Sequence, residues 1–338
     1  MKDIVNRDDQ VMAVARIIRT VRPDVLLINE LDHDFENAAL RAFLDLLRAE
    51  DGDFAPIDYP YFYAPPQNVG LPTGLDMDGD GKLGGAGDAQ GFGHFRGRYA
   101  MALISRMPIA EGAVNLSEML WRDFPSADRP TNADGTPFPN APAAEAQRLS
   151  SKGHWAVPLR HPSRGVIWVV AAHPTPPVFD GPEDANGKRN ADEIRLIAKM
   201  IEGRAPGTDA LKDAPVVVLG DLNADPQDGD GVRSAIKGLL SHPRLQDPQP
   251  ASNGGRAAAQ DQGGANARHR GDPGLDTSDW RDDPGPGNLR VDFVLPSVDF
   301  KITGAGVFWP APGEPHAELL SNGGDRTSDH HLVWVDLE

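Results

Sequence analysis

The chain has 338 residues, with 33 Lys and Arg against 50 Asp and Glu, for a formal net charge of −17 at pH 7. It has no cysteine, which excludes a disulfide scaffold, a thiolate metal site and a cysteine nucleophile. The acidic balance argues against gripping nucleic acid by bulk charge, which takes Lys/Arg surfaces. It leaves open a phosphate-cleaving enzyme whose divalent metals supply positive charge locally. Hydrophobic residues make up 39 %, enough for a sizeable core, so the 36 Gly and 31 Pro belong in long loops. No run reaches the roughly 18 apolar residues that span a bilayer, and residues 1–6 do not read as a signal peptide.

Along the chain, Val11, Val14, Ala15 and Ile18 recur at helical spacing, and Pro23 closes that segment before the apolar run Val25–Ile28. A second amphipathic helix is expected through Leu40, Phe43, Leu44 and Leu47. Later strands are expected at residues 100–104, 166–170, 216–219, 291–295 and 332–335. Asn190 with Glu193 three residues on is a capping-box pattern, which predicts a helix from 191 to about 202. Residues 67–97, 125–142 and 248–288 read as loops, the last of low complexity. Strand runs lie on both sides of every loop and no period repeats, so one α/β domain over 1–338 is expected, with helices covering buried sheets.

The informative pattern is where the polar residues fall. Glu30 follows the run ending at Ile28, His173 follows an apolar run ending at Ala172, and Asp221 with Asn223 follows residues 216–219. Asp292 interrupts the run at 291–295, and Asp329 with His330 stands just before the last strand. Rigid sheets aim side chains from distant positions at one point in this way. Taken singly, a carboxylate after a strand is a turn former or cap, and a lone histidine is a satisfied core residue. As a set, the oxygen donors suit Mg²⁺, Mn²⁺ or Ca²⁺ with room left for a phosphate, and a His beside an Asp suits proton transfer or stabilisation of charge on phosphorus. Metal-assisted phosphoester hydrolysis is the expected chemistry.

At these residues the chain resembles the endonuclease/exonuclease/phosphatase superfamily, which includes pancreatic deoxyribonuclease, apurinic endonucleases, inositol polyphosphate 5-phosphatases and bacterial sphingomyelinases. The matching segments are Pro-Asp-Val-Leu-Leu-Ile-Asn-Glu ending at Glu30, Ala-Ala-His ending at His173, Gly-Asp-Leu-Asn-Ala-Asp-Pro from Gly220, Arg-Val-Asp-Phe-Val-Leu from Arg290, and Ser-Asp-His-His from Ser328. The resemblance implies a four-layer α/β sandwich, two mixed sheets packed face to face with helices outside. It also implies that Glu30 binds the metal and that Asp221 orients or deprotonates the attacking water, with Asn223 on the phosphate. His173 and His330 would bracket the phosphoryl group, Asp329 would bind metal or position His330, and Asp292 would orient a catalytic His. The superfamily normally opens with a strand bearing a Phe-Asn pair, whereas here residues 1–9 lead straight into a helix. Either the start is misassigned or truncated, or the sheet manages without that strand. A secreted or periplasmic location is implied by the same resemblance.

Asp76, Asp78 and Asp80, with Gly79 and Gly81, fit the opening of a calcium loop, although position 12 is Gly87 rather than the Glu of an EF-hand. The alternative is a solvated acidic turn. Arg98, Tyr99 and Arg189 are candidate substrate contacts. The expected activity is hydrolysis of a phosphodiester by water, with Mg²⁺ or Mn²⁺ at the active site and Ca²⁺ at the acidic loop, in a monomer without a membrane span. A non-specific nuclease, a phosphomonoesterase acting on a sugar, inositol or lipid headgroup, and a non-catalytic calcium-ordered binding protein are the alternatives.

Overall fold

Side chains alternate between two faces along an extended strand, and here both faces are apolar. The computed structural model of the protein describes residues 1–322 and 325–338. Its elements are α1 (Lys2–Val5), α2 (Asp9–Val21), β1 (Val25–Ile28), α3 (Ala38–Arg48), β2 (Tyr61–Tyr63), β3 (Ala102–Ser105), β4 (Val114–Asn115), α4 (Ala141–Ala146), β5 (His154–His161), β6 (Gly165–Ala172) and α5 (Ala185–Ile201). There follow β7 (Val216–Asp221), α6 (Arg233–Leu240), α7 (Asn253–Gln262), β8 (Ser278–Asp279), β9 (Asn288–Leu289), β10 (Asp292–Pro296), β11 (Ile302–Val307), β12 (Ser321–Asn322), β13 (Asp325–Arg326) and β14 (Val333–Leu337).

One sheet has the order β10-β7-β6-β5-β4 and contains a single parallel pair, β6 with β7. Facing it are the antiparallel sheet β1-β3-β2 and the β11-β14 ladder. Val25, Leu27, Met101, Leu103, Ile167, Val169, Val217 and Leu219 fill the space between the sheets. Their alternate neighbours point outward. Leu26, Ile28, Ala102 and Ile104 meet Ile18, Leu40, Phe43 and Leu47 of α2 and α3. Val170 and Val218 meet Ile194, Ile197 and Ile236 of α5 and α6. Three apolar clusters between four layers give the α/β sandwich expected from the sequence.

Two local expectations need correction. The helix expected from 191 begins at Ala185, so Asn190 and Glu193 lie inside it and make no capping box. Their polarity is used across the fold. Asn190 Nδ2 donates to the carbonyls of Thr175 and Leu222, both at 2.9 Å, and the Glu193 carboxylate accepts from the backbone N of Ser151 at 2.7 Å and of Thr175 at 2.8 Å. The second correction concerns 248–288, which is not simply a loop. It contains α7, capped by Ser252 Oγ accepting from Gly255 N at 3.0 Å, and the β8-β9 hairpin.

The sheet opposite the five-stranded one is split. Among the described residues β1 is paired only to β3, and β14 only to β11. Between their free edges runs a groove of about 1160 Å³, lined by β1, β14, Val14 and Ile18 of α2, and Val169 and Leu219 of the facing sheet. Glu30, Asp221, Asp292 and His330 close one end of it.

Behind that end, His154 is fully buried. Its Nε2 donates to the Glu193 carbonyl at 2.9 Å and its Nδ1 accepts from Ser150 Oγ at 2.6 Å, an arrangement that fits the neutral ring. Burial lowers its pKa to about 4. The unfolded chain takes this proton near pH 6.5 and the folded chain refuses it until about 4, so stability falls as pH drops through that window. The expected size is roughly 3 kcal/mol. Urea midpoints at pH 7.5 and 4.5 should therefore differ less in His154→Gln than in wild type, and parallel losses would refute this assignment.

Candidate active site

The antiparallel register of β7 and β10 sets Asp221 opposite Asp292. β6 runs parallel to β7 and brings His173 to the same end, while β1 contributes Glu30 from the other sheet. The segment entering β14 supplies Asp329 and His330. Gly220 is needed beside Asp221 because a Cβ there would lie 2.1 Å from the Ala172 carbonyl, where β7 and β6 close together. Glu30 and Asn223 have φ of 60° and 50°, a left-handed conformation that non-glycine residues hold only when their surroundings enforce it.

These elements bring one acceptor between two imidazoles. Asp221 Oδ2 lies 3.2 Å from His173 Nε2 and 3.9 Å from His330 Nε2. Its other oxygen accepts from Asn223 N at 2.8 Å. His330 Nδ1 donates to Asp292 Oδ2 at 2.8 Å, and Thr277 Oγ1 donates to the same oxygen at 2.8 Å. Asn223 Nδ2 donates one hydrogen to the Pro174 carbonyl at 3.0 Å and has a second to offer.

The charges follow from burial and pairing. Burial works against charge on His330, but Asp292 and Asp221 outweigh it and raise the pKa to about 10, so the ring is a cation at neutral pH. Burial drives His173 the other way, to about 4, helped by Lys152. Burial also pushes the Asp221 carboxyl up, yet His173, His330 and the Asn223 N–H together hold it below the usual range. Since His173 is neutral, its part is a hydrogen bond from Nε2–H, and the full positive charge comes from His330. Burial raises Asp292, only partly offset by His330. Glu30 stands at the solvent edge of the groove, and enclosure by its walls raises its carboxyl, against the pull of Lys152.

Asp221, Asp292 and His330 each offer a ligand atom within 4.8 Å of the others. Glu30 and Asp329 lie outside that cluster but within electrostatic reach of each other and of His330. Asn29 Oδ1, next to Glu30, is buried without a partner. A donor set made mostly of carboxylate and amide oxygens fits a hard divalent cation.

Arg98 and Tyr99 also reach this end. The register sets Ala102 opposite Ile28, so the residues before β3 run alongside those after β1. Tyr99 N donates to Asp32 Oδ1 at 3.4 Å, and the Arg98 guanidinium lies 4.6 Å above the Tyr99 ring. Arg189 is a correction, because it cannot be the phosphate contact expected of it. It is 6 % exposed, and its guanidinium donates to the carbonyls of Leu149 at 2.9 Å, Gln90 at 2.6 Å, Arg148 at 2.9 Å and Ser150 at 3.2 Å. Asp76, Asp78 and Asp80 place carboxylate oxygens within 4.8 Å of one another, and the loop is closed by Asp88, which accepts from Met77 N at 2.9 Å and Gly85 N at 3.0 Å.

Sequence reasoning missed Thr277, Trp280 and Lys152. The Trp280 ring meets the His330 ring edge-on at 5.4 Å, and Lys152 stands just before β5. Lys152 follows the same rule of polar residues at strand ends, applied to the start of an antiparallel strand.

Comparison with known proteins bears on the fold and the family. No curated protein sequence matches the chain. Among solved structures, an endonuclease/exonuclease/phosphatase from Beutenbergia cavernae DSM 12333 has a TM-score of 0.54 at 18 % identity over 98 % of this chain, which spans 66 % of that one. The catalytic domain of human Nocturnin with bound sulfate has a TM-score of 0.51 at 15 % identity, covering 98 % of this chain and 87 % of that one. A mannosyl-6-phosphatase from Bacteroides thetaiotaomicron VPI-5482 has a TM-score of 0.50 at 13 % identity, covering 100 % and 95 %. These identities show the fold alone. The family model described as Endonuclease/Exonuclease/phosphatase family matches residues 5–330, nearly the whole length, and the chain belongs to that family.

Proposed function

We propose that the protein hydrolyses a small phosphodiester by direct attack of water, assisted by a divalent metal ion. Members of its family are metal-dependent phosphoesterases. The observation that carries the reading is the Asp221 carboxylate held 3.2 Å from His173 Nε2 and 3.9 Å from His330 Nε2, with His330 in turn bonded to Asp292. Asp221 accepts the proton of the attacking water. The His330 cation, fixed by Asp292, lies where negative charge grows on the phosphoryl oxygens, and the free N–H of Asn223 donates to one of them. Glu30 and Asp329 would hold the metal, with Asn29 Oδ1 as a further oxygen donor. When bound, the ion supplies positive charge to the phosphoryl group. The acidic surface favours a small substrate over a polynucleotide.

The test is hydrolysis of bis(p-nitrophenyl) phosphate, p-nitrophenyl phosphate and plasmid DNA with Mg²⁺, with Mn²⁺ and with chelator. Metal-dependent turnover fastest on the diester supports the reading. Preference for the monoester or for DNA would replace it by the phosphatase or nuclease alternative, and absence of turnover with either metal would overturn it.

The acidic loop is read as a calcium site. Burial and the neighbouring Asp80, Asp88 and Asp76 raise the Asp78 carboxyl, a strain that a cation relieves. Asp78→Ala is expected to lower the melting temperature only when calcium is present. Equal shifts with and without calcium would make the loop a solvated turn.

A further inference from the structure

We infer that Asp276 is a positioning residue that works uncharged: as the neutral acid it lets the segment bearing Thr277 close against the loop after β7, and its ionisation opens that contact. What is positioned is the Asp292–His330 pair, so the inference rests on the phosphoesterase reading above for its consequence in catalysis.

That contact clamps the entry to β10 from two sides. On one side Asp225, in the loop after β7, accepts from Arg290 N at 2.8 Å. On the other, Thr277 Oγ1 accepts from Val291 N at 3.1 Å and Asp292 N at 3.0 Å, and donates to the Asp292 carboxylate that fixes His330. The backbone of Thr277 completes the clamp, its N donating to the Leu289 carbonyl at 2.9 Å and its carbonyl accepting from His331 N at 2.8 Å. Asp276 stands next to Thr277 and is 6 % exposed. Among the described residues its carboxyl has no hydrogen-bond donor.

The charges that face it are all of its own sign. Asp225 and Asp228 act on it from the loop after β7, and Asp272 from its own segment. Cations on the neighbouring segments are spent elsewhere: Arg256 of α7 pairs with Asp272 at 2.8 Å, Arg290 pairs with Asp247 at 2.9 Å, and Arg270 is exposed. Burial raises the Asp225 carboxyl as well, but there the backbone N–H groups of Asp228, Gln227 and Arg290 oppose it, and no donor does so at Asp276. A buried carboxyl among acids, with no donor, is stable only with its proton on. Burial and those three neighbours raise Asp276 to about 8. These carboxylates bring no set of three oxygens within 4.8 Å of one another, which points to a proton rather than a metal ion as the neutralising partner. The unfolded chain releases that proton near pH 3.8, so the stability it contributes is full below that value and is lost as pH rises to about 8. Above that, the folded protein carries a further negative charge in the cluster, and the two sides of the clamp repel.

The experiment compares wild type with Asp276→Asn, which has the shape of the acid and no proton to lose. Melting temperatures are read in chelator from pH 5 to 9, and kcat/KM on bis(p-nitrophenyl) phosphate with Mg²⁺ from pH 6 to 9. In wild type, hydrogen exchange of peptides containing Thr277, Asp279 and His331 is followed by mass spectrometry at pH 7 and 9, corrected for intrinsic rates. The variant is expected to gain melting temperature on wild type steadily between pH 5 and 8. Its kcat/KM should stay within about twofold between pH 7 and 9, where wild type falls about tenfold, the loss of one proton with a midpoint near 8. Protection of those peptides should fall about tenfold over the same interval. Parallel profiles of wild type and variant overturn the inference, and a melting difference without a difference in the kcat/KM profile overturns it too, by making Asp276 merely structural. If the variant does not fold, exchange in wild type decides: the expected loss of protection supports the inference, and unchanged protection overturns it. Wild type that loses protection but turns over no ester at any pH defeats the proposed function and leaves the pH-dependent contact standing. Turnover without an alkaline loss near pH 8, with protection unchanged, defeats the inference alone.

Discussion

Asp221→Asn is expected to lower kcat on bis(p-nitrophenyl) phosphate by a factor of about 10⁴, the upper end for loss of a positioned general base. The substitution removes the carboxylate placed between His173 and His330, at 3.2 Å and 3.9 Å. The effect on folding should be small. The Asn oxygen can accept from Asn223 N as Asp221 does. Its amide then faces His173 Nε2, and the ring can adapt by moving its proton to Nδ1, which is buried without a partner in the native protein. With the Asp221 charge gone, His330 also loses part of what raises its pKa, so the alkaline limb of any residual activity should move to lower pH. Steady-state rates from pH 5 to 10, read beside the melting temperature, check both statements. A variant that keeps more than a tenth of wild-type kcat would remove Asp221 from the role of base.

Arg189→Met should do the opposite, costing stability and sparing substrate binding. The guanidinium is the common donor to four backbone carbonyls, and burial among them lowers its pKa, with Glu193 opposing. Methionine fills similar volume but leaves those carbonyls without their donor, at an expected loss of about 3–5 kcal/mol. Urea denaturation measures this loss, and KM measured on the folded fraction should stay within about twofold of wild type, a factor worth under roughly 0.5 kcal/mol. Unchanged stability with a large rise in KM would restore Arg189 as a phosphate contact.

The two substitutions also mark what the sequence could reveal. Apolar runs such as Val25–Ile28 and residues 216–219 announced buried strands, because both faces of each strand are packed. The acids and histidines stood out because they end those runs, and strand ends are where the fold converges. Their contacts depend on pairing between distant segments. Nothing local sets Asp292 against Asp221 or His330 against Asp292. Asn190 and Glu193 carried a genuine capping pattern, but its donors and acceptors were claimed by loops behind the site. In 248–288 the glycines suggested a loop, yet in α7 a Cβ on Gly254 would lie 2.2 Å from the Trp309 carbonyl and one on Gly255 2.5 Å from the Pro273 carbonyl. They mark close approach of a helix to its neighbours, a use of glycine that composition does not distinguish from flexibility.

The groove between β1 and β14 has a consequence for behaviour in solution. Two free strand edges face each other across an apolar floor, and open edges are templates for intermolecular pairing. β1 reads Val-Leu-Leu-Ile, with neither a charge nor a proline to blunt it, and β14 carries one acid, Asp336, among apolar residues. The long-range repulsion of a chain at −17 opposes such pairing. That protection is ionic. At about 1 M salt the screening length falls to roughly 3 Å, so association is expected to rise with salt, which light scattering in dilute and concentrated buffer would read.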